Sequence, residues 1–145
     1  MTNGLSTLET LTDTTIDSCI GYEKASQNAT HAGLKQTLQQ QGQERRKLVG
    51  QMNQEISRLG GTPRDDGTFS GGAHRVWTDI TTAFGDKNES AVERVQEGES
   101  YLEEKFEAAL KDDDLQPETR QLVQQAHQQV CQGERLADQL ERQFD

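Results

Sequence analysis

The chain has 145 residues, enough for one domain spanning 1–145. Apolar residues make up 30 %, and even with the 13 glycines added the fraction stays below the ~45–50 % of ordinary globular domains, so a narrow core between helices is expected rather than a thick layered interior. A formal net charge of −10 works against phosphate backbones, which are bound by Lys and Arg, and no basic stripe with interleaved aromatics argues for a nucleic-acid partner.

Membrane and export are disfavoured as well. No apolar run approaches the ~20 residues of a spanning helix. The opening stretch MTNGLSTLETLTD has neither a positive n-region nor an apolar h-region. Cys19 and Cys131 form no Cys-x-x-Cys pair and read as reduced thiols, so a cytoplasmic, acidic protein is expected.

The first helix is predicted over about 5–29. Leu8, Leu11, Thr15, Cys19, Tyr22, Ser26 and Ala29 recur at alternating steps of three and four, one helical face, with Ile16 and Ile20 widening it. The break at Thr30–Gly33 admits only an antiparallel neighbour, with His31 as a solvated turn residue. The second helix, about 32–59, carries Leu38, Gly42, Arg45, Val49, Met52, Ile56 and Leu59 on its seam and stops at Gly60-Gly61-Thr62-Pro63. Residues 60–88 are too many for a turn and hold their own apolar helical patch, so a crossover with a short helix over about 71–84 is expected. The third helix, about 89–111, places Val92, Val95, Glu99, Leu102, Phe106 and Ala109 inward. Pro117 opens the fourth, about 117–143, where its missing N–H costs little, and Val123, Ala126, Val130, Gly133, Ala137, Leu140 and Phe144 line its face. Two short hairpins joined by one long connection describe an all-α, ferritin-like four-helix bundle.

Three segments carry a family resemblance: RLGGTPRDDGTFSGGAHRVWTDI, VERVQEGESYLEEKFEAAL and LQPETRQLVQQAHQQV. Together they resemble a group of small bacterial proteins known as a ferritin-like four-helix-bundle domain of unknown function. The resemblance spans nearly the whole chain and is most specific at Gly71–Asp79, where the family shows a His-Arg-x-Trp-x-Asp string; Gly98-Glu99 and His127 also fall on family positions. It implies the fold and the crossover, and no activity.

The fold raises the question of metals. Di-iron carboxylate bundles take a Glu from each of two helices and a Glu-x-x-His from each of the other two. Here Glu23, Glu44, Glu99 and His127 are the candidates, but Glu44 opens a Glu-x-x-Lys and His127 closes a Gln-x-x-His. A full di-metal site is therefore not expected. In the structural reading, Glu99 pairs with Arg45 or hydrogen-bonds to His127, because a buried charge needs a partner. In the alternative reading the four residues keep a partial iron or manganese site, in a degenerate metal-binding protein or oxidoreductase.

His74, Arg75, Trp77 and Asp79 form either a small binding site near the crossover or a staple in which Trp77 buries its ring. Both cysteines lie on or beside apolar seams and read as inert packing. The acidic run from Glu97 to Asp114 lacks the spacing of a calcium loop, and no phosphate loop or nucleophile motif occurs. The leading expectation is a non-enzymatic bundle without a cofactor, an interaction or stress-related protein, with self-association through apolar faces such as Ile16, Ile20 and Phe84.

Overall fold

The computed structural model describes residues 4–65 and 87–144. It is an all-α four-helix bundle of α1 (Leu5–Asn28), α2 (Ala32–Arg58), α3 (Lys87–Ala109) and α4 (Pro117–Phe144). The predicted boundaries hold to within two residues. The short helix expected over 71–84, with the His74–Asp79 string and Phe84, lies outside the described residues.

Local chemistry starts and stops each helix. Gly4, at φ +78°, precedes α1 and abuts Leu115; a side chain there would meet Leu115 at 2.7 Å. His31 caps α2, its Nδ1 accepting from the Leu34 N–H at 3.1 Å. It stays exposed, as expected of a turn residue, but it also meets Phe144 edge-on with centroids 5.0 Å apart, tying the end of α4 to the start of α2. Gly60, at φ +92°, closes α2, and the Gly61 N–H reaches back to the Ile56 carbonyl at 2.9 Å.

Contacts between helix ends define the topology. Asn88 Oδ1 accepts from the backbone N–H groups of Thr30 and His31, which places the start of α3 beside the α1–α2 turn. At the opposite end Thr7 donates to Asp112 at 2.6 Å, and Arg120 donates to the carbonyls of Leu110 and Asp112, closing the α3–α4 loop. Helix α3 is thus parallel to α2. Helix α1 packs on α2 and α3, α3 packs on α4, and α2 meets α4 along a smaller face.

The core forms two apolar clusters with a polar layer between them. Tyr22, Leu34, Leu38, Val92, Val95 and Ala137 belong to one, and Leu8, Leu48, Met52, Leu102, Phe106 and Val130 to the other. The predicted seams of α1, α3 and α4 are inward. On α2 the seam passes through Leu48, 1 % exposed, where the sequence pattern pointed to its neighbour Val49, which is half-buried. Helix α1 is buried on every side from Leu11 to Cys19 despite its polar composition. Thr12, Thr15 and Ser18 tolerate this by donating to carbonyls of their own helix, so each buried hydroxyl keeps a partner. Arg64, just beyond α2, adds an ion pair to Asp13 at 2.8 Å.

Candidate functional site

The polar layer between the two apolar clusters is built on Arg45 and Glu99. Both are buried, at 3 % and 0 % exposure. Arg45 Nη1 and Nη2 donate to Glu99 Oε1 and Oε2 at 2.8 and 2.7 Å, a two-pronged ion pair that satisfies both carboxylate oxygens. Arg45 also reaches Ser18 Oγ at 3.4 Å and lies over the Tyr22 ring, 5.6 Å from its centroid. Burial works against the Arg45 charge, but Glu99 more than offsets it and holds the guanidinium above its ordinary range. Burial and the Glu99 charge both push the Tyr22 hydroxyl up, and Glu99 accepts a hydrogen bond from it. Gly133 of α4 makes the room: a Cβ there would collide with Glu99 Oε2 and stand 2.9 Å from Arg45 Nη2.

The other sequence-derived candidates do not join this pair. Glu23 sits on the surface and takes Arg46 at 2.6 Å; Glu44, also exposed, takes Lys47 at 3.3 Å. His127 turns to Glu103 instead, with Nε2 and Oε1 3.0 Å apart. Glu23, Glu44, Glu99 and His127 thus occupy four separate ion pairs or hydrogen bonds and share no common centre. A groove of about 480 Å³ between α2 and α4, lined by Gln41, Glu44, Gln129, Gln132 and Leu136, reaches Arg45 and Gly133.

A second cluster lies one turn further along α3. Glu103 follows Glu99 by four residues, a rotation of about 40° on an ideal helix, and that rotation carries it toward solvent. Its side chain is 19 % exposed, that of His127 21 %. Cys131 stands one turn after His127 on the same face of α4, its Sγ 3.5 Å from His127 Nε2 and 4.0 Å from Glu103 Oε1. Phe106 stacks on the imidazole with planes 12° apart. Among the described residues this is the one group of three His, Cys or carboxylate side chains whose donor atoms gather within 4.8 Å.

Cys131 is half-buried here, unlike Cys19, so the expectation of core packing holds only for Cys19. Burial pushes the Cys19 thiol up to about 11. Burial and the charges of Glu103 and Glu134 push the Cys131 thiol up. Glu134 is raised by burial and by Glu103, and Glu107 by its hydrogen bond to Glu103, so carboxylates crowd the rim of this cluster.

Sequence reasoning singled out His127 and Cys131 without joining them, and missed Glu103 as their partner. The spacing His127-Gln-Gln-Val-Cys131 was a usable signal, since residues four apart share a helix face. Glu103 had none, because it comes from the neighbouring helix.

The family model described as Domain of unknown function (DUF2383) matches residues 3–112. No curated protein and no solved structure matches the chain. The match covers α1 to α3, including Arg45, Glu99 and Glu103, and stops short of α4, whereas the sequence resemblance extended through LQPETRQLVQQAHQQV. The chain belongs to this family of unknown function.

Proposed function

We propose that this member of a family without an assigned role is a non-enzymatic, ferritin-like bundle that acts by binding a protein partner, a second copy of itself included, in a reducing cytoplasm. The observation that carries this reading is the Arg45–Glu99 pair. A carboxylate bundle holds its metals where polar side chains of its four helices converge. At that level this chain places a guanidinium that takes up both oxygens of Glu99, a carboxylate at 0 % exposure. The interior is built to hold helices together, which leaves the outer surface as the working part.

Self-association draws support from the bundle end where α2 and α3 finish. Leu5, Leu59, Leu110 and Leu122 stay half-buried there. Ile16, expected to remain as an open apolar face, is instead buried at 3 %, and Ile20 is half-buried.

Two measurements test the reading. Untagged protein expressed with iron and manganese supplied should carry far less than one equivalent of either. Near-stoichiometric iron or manganese, lost on Glu23→Gln and Glu44→Gln substitution, would establish the degenerate metal-protein reading instead. Light scattering should show mass rising with concentration; a strict monomer at high micromolar concentration removes the second copy as a partner.

A further inference from the structure

The cluster on the outer α3–α4 face joins donors of three chemical kinds: a carboxylate, an imidazole and a thiol. Zinc bonds of about 2.0–2.1 Å to nitrogen and oxygen and about 2.3 Å to sulfur, at tetrahedral angles, put the ligand atoms about 3.3–3.6 Å apart. Here they stand at 3.0 Å for Glu103–His127, 3.5 Å for His127–Cys131 and 4.0 Å for Glu103–Cys131. The His127–Cys131 separation already falls in that range, and the two Glu103 separations lie a few tenths of an ångström to either side of it.

We propose that Glu103, His127 and Cys131 form a zinc(II) site that links α3 to α4, with Glu134 or a water molecule as the fourth ligand. Four observations carry it. His127 and Cys131 come from one rigid helix at the spacing that places both on one face. Glu103 comes from the facing helix, so the ion bridges two elements. Phe106 stacked on the imidazole holds its plane. A shallow depression of about 210 Å³ lined by Glu103, Cys131, Glu134 and Arg135 gives an ion an entry path and puts a second carboxylate, that of Glu134, within reach as the fourth ligand. Thiolate and imidazole together favour zinc over calcium or magnesium, which prefer oxygen ligands alone. Binding takes the Cys131 sulfur as thiolate, and its proton leaves to buffer. The site shares no residue with the buried ion pair, so its failure would leave the reading of the interior untouched.

The test uses the full untagged chain, stripped with a chelator and kept reduced. It is titrated with Zn²⁺ against a competing chromophoric chelator, and with Co²⁺ as a coloured stand-in. One equivalent should bind, with a thiolate-to-cobalt charge-transfer band. Cys131→Ser and His127→Ala should each weaken binding by more than about 100-fold, beyond what loss of an outer-shell partner costs. Glu103→Gln should weaken it less, and Cys19→Ala should leave both affinity and band unchanged. Zinc should also shield Cys131 of the unmutated protein from alkylation, a readout that needs no variant to fold. Binding without fixed stoichiometry, or binding that survives both Cys131→Ser and His127→Ala, would mean scattered carboxylate sites and would overturn the proposal, as would alkylation of Cys131 at the same rate with and without zinc.

Discussion

Glu99 and Glu103 are the same residue type one helical turn apart on α3, and they lead opposite lives. Glu99 is sealed between four helices, and both of its oxygens are taken by Arg45. Glu103 stands at the rim beside His127 and Cys131 with part of its surface in water. The rotation of about 40° between them sends one carboxylate to the axis and the other to the edge. Depth then decides what each group can do. A buried charge has no solvent to fall back on, so its partner is obligatory and the pair is committed to structure. A rim carboxylate can exchange a neighbour for water or for an ion at little cost.

The largest effect should come from breaking the sealed side. Arg45→Met strands Glu99 in the core, and chemical denaturation should show a loss of about 3–5 kcal/mol. Adding Glu99→Leu should restore most of that loss, because two apolar side chains can replace a buried pair. A double variant no more stable than Arg45→Met alone would contradict this account of the pair.

Gly133→Ala comes next. Its Cβ enters the space held by Glu99 Oε2, so the pair must shift, at a cost of about 1–3 kcal/mol in the same assay. Gly50→Ala, where nothing lies within 4 Å, should be neutral or slightly stabilising.

The sealed layer also has an alkaline signature. Cys19 and Tyr22 both lose their protons later in the folded chain than in the unfolded one, because burial disfavours their anions. Between about pH 9 and pH 11 the unfolded chain therefore binds fewer protons than the folded one, and stability falls as pH rises. It is fully present below about pH 9. Cys19 contributes on the order of 2 kcal/mol to the loss, so Cys19→Ala should flatten this part of the stability–pH curve.

Breaking the rim should cost least. In metal-free protein, His127→Gln should change stability by no more than about 1 kcal/mol, the range of partly exposed ion pairs. Alkylation should also separate the two thiols, with Cys131 modified in the native protein and Cys19 only after unfolding. Equal rates at the two cysteines would erase the contrast between core and rim.

The bundle was legible because its signals are local. Steps of three and four along each helix, Gly60 after α2 and Pro117 at the start of α4 are all read from one stretch of chain. Periodicity blurs where two apolar residues adjoin, which is how Val49 stood in for Leu48 on α2. The candidate sites were only half legible. The residue types that matter, Arg45, Glu99, His127 and Cys131, stood out on their helices. Which of them meet was open, since Glu99 had both Arg45 and His127 as prospective partners.

By itself, then, the sequence determined the helices, their order and the inward faces of α1, α3 and α4, because propensity, capping and periodicity act over a few residues. Tertiary structure alone decided the pairings. Arg45 found Glu99 across 54 positions of chain, and His127 found Glu103 across 24. Both outcomes depend on the relative rotation of packed helices. Helices α2 and α4 stand face to face at Gly133 closely enough that a single added methyl would displace the pair. Local spacing already turned Glu99 inward, but which side chain it meets there depends on how the packed helices rotate and slide against one another, and nothing local in the chain encodes that choice.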